Sequence, residues 1–573
     1  MMATWTSTNG ITLRDLVPAR LRRDWVDKGW CPDRDLYSLF GEAARTHPGR
    51  TAVVDSAGTT DYATLDASVR RVATALMEAG YGERDVIGIQ APNDRRAVAA
   101  ELAVAAIGAV ALPFPPGRGW RDTVTLLGRS RASAMIVADT AGDTPLAENL
   151  TGLRPRLPDL GSVFVFGEAP AGCRSLDPWL LDDAVGREWR PQPPVNPEGP
   201  ARILVSSGSE AEPKMVAYSH NAMAGGRANY VAALSDGRQP MRNLVLVPLF
   251  SSFGSCGTSV TVARHGGTLL LLDTFDSATA LRMITRHRPT DVFGVPTMLR
   301  RMAAERPTPG EDTSSLHALV ASGAALHTTT IEACQERFGC PIINVYGSAD
   351  GINCHTAVED SPPELGRVGR PDPKVAEIRI VGDDGVPLPA GQQGEIWARG
   401  PMTPLCYLNA VELDERYRPP GGWVRTGDCG LIDSEGQLQV VDRIKQVVIR
   451  GGYNISPAEI EQQLDIHPVV ADAVCLAMPD PELGERLCAC VTQQPGTATL
   501  TLAAINAFLE NERGLDRRKL PESLVVLPEL PLGPTGKVCR QTLARLAALS
   551  VGERDRLRAG VDPESSRSGT KWP

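Results

Sequence analysis

Lysine is nearly missing from this chain. Among 59 basic residues in 573, only Lys28, Lys214, Lys374, Lys445, Lys519, Lys537 and Lys571 are lysine, which leaves 52 arginines. A composition that replaces Lys by Arg wherever Arg will serve marks each retained Lys as a candidate for work that needs a compact, flexible point charge. Histidine is also scarce, with eight scattered residues, and that spacing argues against a zinc site. The twelve cysteines include no Cys-x-x-Cys pair. Cys488 and Cys490 alternate as buried strand residues do, so reduced thiols and a cytoplasmic setting are expected.

Positive charge is in deficit, with a formal net charge of -9 and a pI near 5.6. This argues against nonspecific affinity for nucleic acid or anionic membranes. The opening "MMATWTSTNG" lacks the basic start and apolar stretch of a secretory signal. The most membrane-like run, residues 97–114, is mostly Ala and contains Glu101, which fits a buried helix running into a strand better than a span.

What the sequence does have is length and rhythm. A chain of 573 residues exceeds what one core usually organises, so two or more domains are expected. From about Leu36 to Leu180, helical patterns such as "YATLDASVRRVATALMEAG" alternate with strand-like "DVIGIQAP" and "SAMIVAD". That alternation predicts an α/β fold of mostly parallel sheets covered by helices. A Pro-rich connector at 188–200 interrupts it, and the pattern resumes at "RNLVLVPLF", "DVFGVPT", "LHALVASG" and "PIINVYG". Near Gly394 the texture turns to short strands, with a hairpin turn at "DSEG", so a small β-rich subdomain is expected. Ser456 and Pro457 suit the N-cap and first turn of a helix. A separate, mobile α+β domain is expected over 442–573, after an N-terminal domain of 1–441, with disorder from about residue 560.

Six spaced motifs then agree: "YGSAD" (346–350), "GRVGRP" (366–371), "GEIWARGP" (394–401), "WVRTGDCG" (423–430), "DRIKQVVIRGGYNISPAEIE" (442–461) and "PLGPTGKVCR" (531–540). In order and spacing this set resembles the acyl-adenylate-forming superfamily, in particular its acyl-CoA synthetase branch, over nearly the whole chain. The resemblance implies two half-reactions: a carboxylate attacks ATP to give an acyl-adenylate and pyrophosphate, and a thiol such as coenzyme A then displaces AMP. It also implies that the C-terminal domain swivels between them about a hinge near Asp442.

Residue by residue, the resemblance assigns Asp428 to the ribose hydroxyls, a task for an acceptor-only carboxylate in a tight turn between Gly427 and Cys429. Tyr346 offers its ring to adenine, with Gly347 and Ser348 allowing close backbone approach. Asp350 stands where relatives carry a magnesium-binding Glu, one methylene longer. Arg443 is expected near ribose or phosphate, while Lys445 and Arg450 either face the thiol substrate or are solvated charges. Lys537, in "PTGK", matches the lysine that neutralises charge during adenylation. Gly451 and Gly452 match the loop that lines the thiol tunnel. For the acyl group, Ser251, Ser252, Phe253 and Gly254, with Gly323 and Ala324 as another wall, mark a pocket that begins with Ser251 where many relatives have His. The small residues Ser251, Ser252, Gly254, Ser255, Cys256 and Gly257 either leave room for a bulky acyl group or serve close helix packing.

The phosphate loop is where the sequence departs. Relatives read roughly Thr-Ser-Gly-Thr-Thr-Gly-x-Pro-Lys-Gly; here Ser206, Ser207, Gly208, Ser209, Glu210, Ala211, Glu212, Pro213, Lys214 and Met215 occupy those positions. Such loops work because Gly lets backbone N–H groups converge on anionic oxygens. A carboxylate about 4 Å from a phosphate charge costs roughly 4 kcal/mol at an effective dielectric near 20. The β- and γ-phosphates of ATP bear that cost, and an acyl-adenylate has neither. The sequence therefore leads to an acyl-CoA ligase that is expected to use a preformed acyl-AMP from a separate adenylating ligase, plus coenzyme A. The open alternatives are a complete synthetase using ATP with magnesium, a loader of an acyl carrier protein, and a nucleotide-binding pseudoenzyme. A large natural-product acid, such as a polycyclic terpenoid acid, is the expected acyl group.

Overall fold

A computed structural model of the protein describes residues 4–116, 118, 120–177, 193, 195–206, 213–235, 240–360, 363–364, 366–443, 448–450, 453–480, 483–513, 515, 517–533 and 537–558. The chain divides into two compact units, 1–440 and 441–573.

The first unit is built on two eight-stranded sheets. One joins Val86–Gln90, Val110–Pro113, Ala134–Ala138 and Ser162–Phe166 in parallel, then turns antiparallel where Pro200–Val205 meets Met215–Ser219. The other places Arg242–Val245, Asp291–Gly294, Ala318–Ser322 and Ile342–Ser348 side by side and parallel. The strand Thr51–Asp55, from early in the chain, belongs to this second sheet, where it pairs with Thr268–Leu271. The alternating rhythm does not reveal that exchange, because each strand fits either sheet by its apolar content alone. The central strands are buried throughout, as expected for parallel strands covered on both faces.

Helices begin where short polar side chains cap them. Asp35, Asp61, Asp94, Ser219 and Asp276 each accept a backbone N–H from the first turn of the following helix. The membrane-like run is the helix Arg95–Ala106 followed by the strand Val110–Pro113, both buried. Its one charge, Glu101, meets Arg202 of the strand Pro200–Val205 in a fully buried pair, with Ser259 Oγ also donating to Glu101. Among the described residues no helix is long and apolar enough to cross a membrane.

A smaller sheet of Glu377–Val381, Gly394–Arg399, Val424–Ile432 and Leu438–Arg443 follows. Its hairpin turns at "DSEG", where Gly436 N–H donates to Asp433 O at 3.0 Å and Gly436 has φ of +79°. One sequence expectation needs correction here. Asp428 lies inside the strand Val424–Ile432, not in a tight turn. The register slips between Glu395↔Cys429 and Trp397↔Arg425, and Gly427, with φ of +72°, forms the resulting bulge.

The second unit pairs Val448–Arg450, Tyr453–Ile455, Val470–Asp480, Gly484–Gln493 and Ser523–Val526 in one sheet. Ser456 caps the helix Pro457–Asp465 through Glu459 N–H, with Pro457 in its first turn. Cys488 and Cys490 are both buried in the strand Gly484–Gln493. None of the twelve cysteines is in a disulfide. The tail from residue 560 and residues 188–192 and 194 of the Pro-rich connector lie outside the described residues.

Candidate active site

Ligands of open α/β sheets gather at the carboxyl ends of the strands. Four neighbouring parallel strands of the second sheet deliver the candidate residues there. Arg242–Val245 leads to the segment 248–257, Ala318–Ser322 to Gly323 and Ala324, and Ile342–Ser348 ends on Tyr346, Gly347 and Ser348. Between them, Phe293 of Asp291–Gly294 packs against Phe253 with ring centroids 5.9 Å apart.

Tyr346 and Asp428, 82 residues apart in sequence, meet directly: the tyrosine hydroxyl donates to Asp428 Oδ2 at 2.6 Å. Asp428 is 4% exposed, and its backbone N–H donates to Thr426 Oγ1 at 3.1 Å. The bulge adjoins this carboxylate, which meets the tyrosine hydroxyl. Gly347 lies in the hairpin opposite Asn353, where a Cβ would sit 3.2 Å from Ile352 O.

Asp350 is held at both carboxylate oxygens. Tyr407 Oη donates to Oδ1 at 2.7 Å, and Ser348 Oγ lies 3.4 Å from Oδ2 while accepting the Asp350 N–H at 3.1 Å. Burial raises the Tyr407 hydroxyl well above its ordinary pKa, and the neighbouring Asp350 charge adds to the effect, so Tyr407 remains the donor. A magnesium ion taking Asp350 as a ligand would share the carboxylate with Tyr407, and Oδ2 is the less engaged oxygen. Among the described residues there is no group of three or more His, Cys, Asp and Glu able to hold a metal.

Lys214 follows the phosphate loop. Ser206 N–H donates to Lys214 O at 2.9 Å, and Lys214 N–H to Ser206 Oγ at 3.1 Å, closing the loop at its base. The Lys214 ammonium lies over the Tyr417 ring, 3.9 Å from its centroid, and 5.7 Å from that of Tyr407. Cation–π contacts of this kind are worth about 0.5–2 kcal/mol. The base also receives Arg118, whose Nη2 donates to Ser206 O at 3.2 Å. Ser207, Gly208, Ser209, Glu210, Ala211 and Glu212 lie outside the described residues. Sequence reasoning missed Tyr407, Tyr417 and Arg118. The "CYLN" segment 406–409 lies within the resembling region, but nothing in it announces that its tyrosine would bind Asp350.

In the acyl segment, Ser251, Ser252 and Phe253 are half-buried, as is Gly323, which has φ of +92°; Ala324 is exposed. Ser251 Oγ accepts Gly254 N–H at 2.9 Å. A Cβ at Gly254 would fall 2.0 Å from Pro248 O, and one at Gly257 would fall 2.4 Å from Leu249 Cδ2. At those two positions glycine provides close packing and leaves no extra room.

In the second unit, Arg450 forms an ion pair with Glu522 and donates to Leu520 O at 3.2 Å, while Glu522 accepts Leu487 N–H at 2.9 Å. Lys537 sits in a hairpin in which Gly533 N–H donates to Lys537 O at 2.7 Å and Leu532 bridges Val538. Lys445, Gly451 and Gly452, and the side chains of Asp442 and Arg443, lie outside the described residues.

The sequence matches the family model "AMP-binding enzyme" over residues 40–408 and "AMP-binding enzyme C-terminal domain" over 459–537. It is 29% identical over 547 residues to a salicyl-AMP ligase / salicyl-S-ArCP synthetase of Mycobacterium tuberculosis, covering 93% of this chain and 94% of the relative. It is 31% identical over 522 residues to an indoleacetate–CoA ligase of Aromatoleum aromaticum, covering 90% and 98%. The fold superposes on the amide bond synthetase McbA of Marinactinospora thermotolerans with a TM-score of 0.77 at 29% identity, covering 89% of this chain and 99% of that one.

Proposed function

The chain belongs to the AMP-binding enzyme family and is a ligase; from that premise we propose that it makes an acyl-CoA thioester and takes its acyl-adenylate ready-made. The observation that carries the second half of this reading is the pair Glu210 and Glu212 in the phosphate loop. Two features of the first unit support it. Lys214 rests on Tyr417, and Asp350 is bound at both oxygens, so the groups best suited to pyrophosphate and magnesium are engaged elsewhere.

In the proposed reaction Asp428 and Tyr346 hold the adenosine end of the acyl-adenylate. The thiol sulfur attacks the acyl carbonyl, the C–S bond forms, and the C–O bond to phosphate breaks. AMP departs with the bonding electron pair, and the thiol proton passes to solvent. Low-pKa phosphate is a good leaving group, so the protein's main task is to place the thiol and the carbonyl together. Gly451 and Gly452 are assigned the thiol path, with Lys445 and Arg450 beside it. Arg443 is assigned to the ribose or phosphate, and Lys537 to the adenylation half. A large carboxylic acid, such as a polycyclic terpenoid acid, is the proposed acyl source, and a separate ligase is its adenylating partner.

A second reading, transfer to a carrier protein, is favoured by the S-ArCP synthetase relative. The two separate when synthetic salicyl-AMP, indoleacetyl-AMP and a polycyclic terpenoid acyl-AMP are offered with coenzyme A or with a phosphopantetheinyl carrier protein. Faster thioester formation on coenzyme A is expected. Exclusive loading of the carrier overturns the choice of acceptor, and loss of thioester on both acceptors with nucleotide binding intact points to a pseudoenzyme.

A further inference from the structure

Arg227 is a buried cation with no carboxylate partner among the described residues. It stands in the first turn of the helix Gly226–Leu234 and is 4% exposed. Its Nη1 donates to Ser252 O at 3.0 Å and Ser255 Oγ at 3.2 Å; its Nη2 donates to the Tyr218 hydroxyl at 3.2 Å and lies 3.5 Å from Ser252 Oγ. Its Nε is buried and has no partner among the described residues. The charges around it are spoken for: Glu101 pairs with Arg202, and Asp350 is bound by Tyr407 and Ser348. Among the described residues every hydrogen-bond partner of the guanidinium is therefore a neutral oxygen, and the centroid of the Tyr218 ring lies 5.0 Å from its carbon. A buried charge is normally paired, and one left with neutral oxygens and an aromatic ring, with one N–H unbonded, is a standing cost to the fold.

The location says what would compensate it. Ser252 and Ser255 belong to the segment 248–257 that leaves the end of the strand Arg242–Val245, and Tyr218 passes its own hydroxyl hydrogen to Ala349 O at 2.8 Å, next to Ser348 and Asp350. Arg227 thus ties the candidate acyl segment to the candidate nucleotide strand. We infer that Arg227, through its Nε–H and with the Ser252 hydroxyl beside it, receives a second oxygen of the acyl group, a carbonyl, phenolic or carboxylate oxygen apart from the activated carboxyl. This rests on the assignment of residues 251–254 to the acyl pocket. It narrows the substrate to oxygen-bearing acids and disfavours plain hydrocarbon acids.

The test uses the full chain and matched acyl-AMP pairs that differ by one oxygen: salicyl-AMP against benzoyl-AMP, and a keto-substituted diterpenoid acyl-AMP against its deoxo counterpart, each with coenzyme A. Hydrogen bonds to a charged group set the scale. The wild type should prefer the oxygen-bearing member of a pair by about 10- to 100-fold in kcat/KM. Arg227→Met should bring that ratio to within about threefold of one, and Arg227→Lys should retain part of it. If Arg227→Met lowers both members alike, together with the thermal midpoint, Arg227 is a packing residue and the inference is wrong; equal rates within every wild-type pair overturn it too. The same pairs supplied as free acids with ATP separate this inference from the choice of adenylate source. Discrimination that persists there, with ATP-driven turnover, sinks the ready-made adenylate and leaves Arg227's role standing.

Discussion

At the residue scale, the account rests on a few side chains whose partners decide their chemistry. Asp428 is buried against Tyr346, so Asp428→Asn keeps the shape and one hydrogen bond but loses an acceptor-only group. Thioester formation from acyl-AMP should fall about 30- to 100-fold, the equivalent of about 2–3 kcal/mol, with the circular dichroism spectrum and melting midpoint unchanged. Lys537 separates the two half-reactions. Lys537→Ala should lower acyl-AMP-fed turnover by less than about threefold, while any ATP-fed turnover should fall by more than about 100-fold; equal loss in both assays contradicts the assignment. Asp428 and Lys537 were legible because their motifs are local. Tyr407, Tyr417 and Arg227 were not, since each acquires its meaning from a partner distant in sequence: Asp350, Lys214 and the 252–255 segment.

At the element scale, the buried helix Arg95–Ala106 is fastened to the strand Pro200–Val205 by Glu101 and Arg202. Removing one partner leaves a buried charge alone, so Glu101→Leu should cost about 3–5 kcal/mol, read as a drop in the urea midpoint. A change under about 1 kcal/mol contradicts that picture. The phosphate loop is the other element with a direct test. Restoring ATP use would naively include Met215→Gly, but Met215 is buried and opens the strand Met215–Ser219 opposite Val205. Glycine there removes apolar packing and weakens the strand. Changes confined to Glu210→Thr, Ala211→Gly and Glu212→Ser should raise acid-dependent ATP–pyrophosphate exchange by about 10-fold or more. Helix starts and the "DSEG" hairpin were readable from capping and turn chemistry. The bulge at Gly427 was not, because it depends on the register of a neighbouring strand.

At the scale of the whole molecule, acid is the weak side. Burial holds His220 and His265 neutral, lowering both from 6.5 to about 4. The unfolded chain therefore binds these protons more tightly, and the stability they contribute, present above about 6.5, is lost progressively as pH falls toward 4. For His265 the full span amounts to roughly 3 kcal/mol. Asp414 works in the opposite direction: burial raises it to about 6, so between 6 and 3.8 acidification favours the folded state and offsets part of the loss. Two histidines against one aspartate should still give a falling urea midpoint from pH 7 to 4.5, and a flat profile contradicts the burial argument. The α/β class and two-unit organisation follow from the rhythm of helices and strands and its change of texture. The division of strands between two sheets required the structure, since Thr51–Asp55 joins strands some 200 residues later.

The central claim is that the adenylate arrives ready-made. The most direct measurement supplies one enzyme preparation with the same acids in two forms, as free acid with ATP, magnesium and coenzyme A, and as synthetic acyl-AMP with coenzyme A. The account predicts acyl-CoA from the adenylate at a rate at least about 100-fold above that from ATP and acid, the penalty expected for phosphates beside Glu210 and Glu212. Equal rates from both would contradict it.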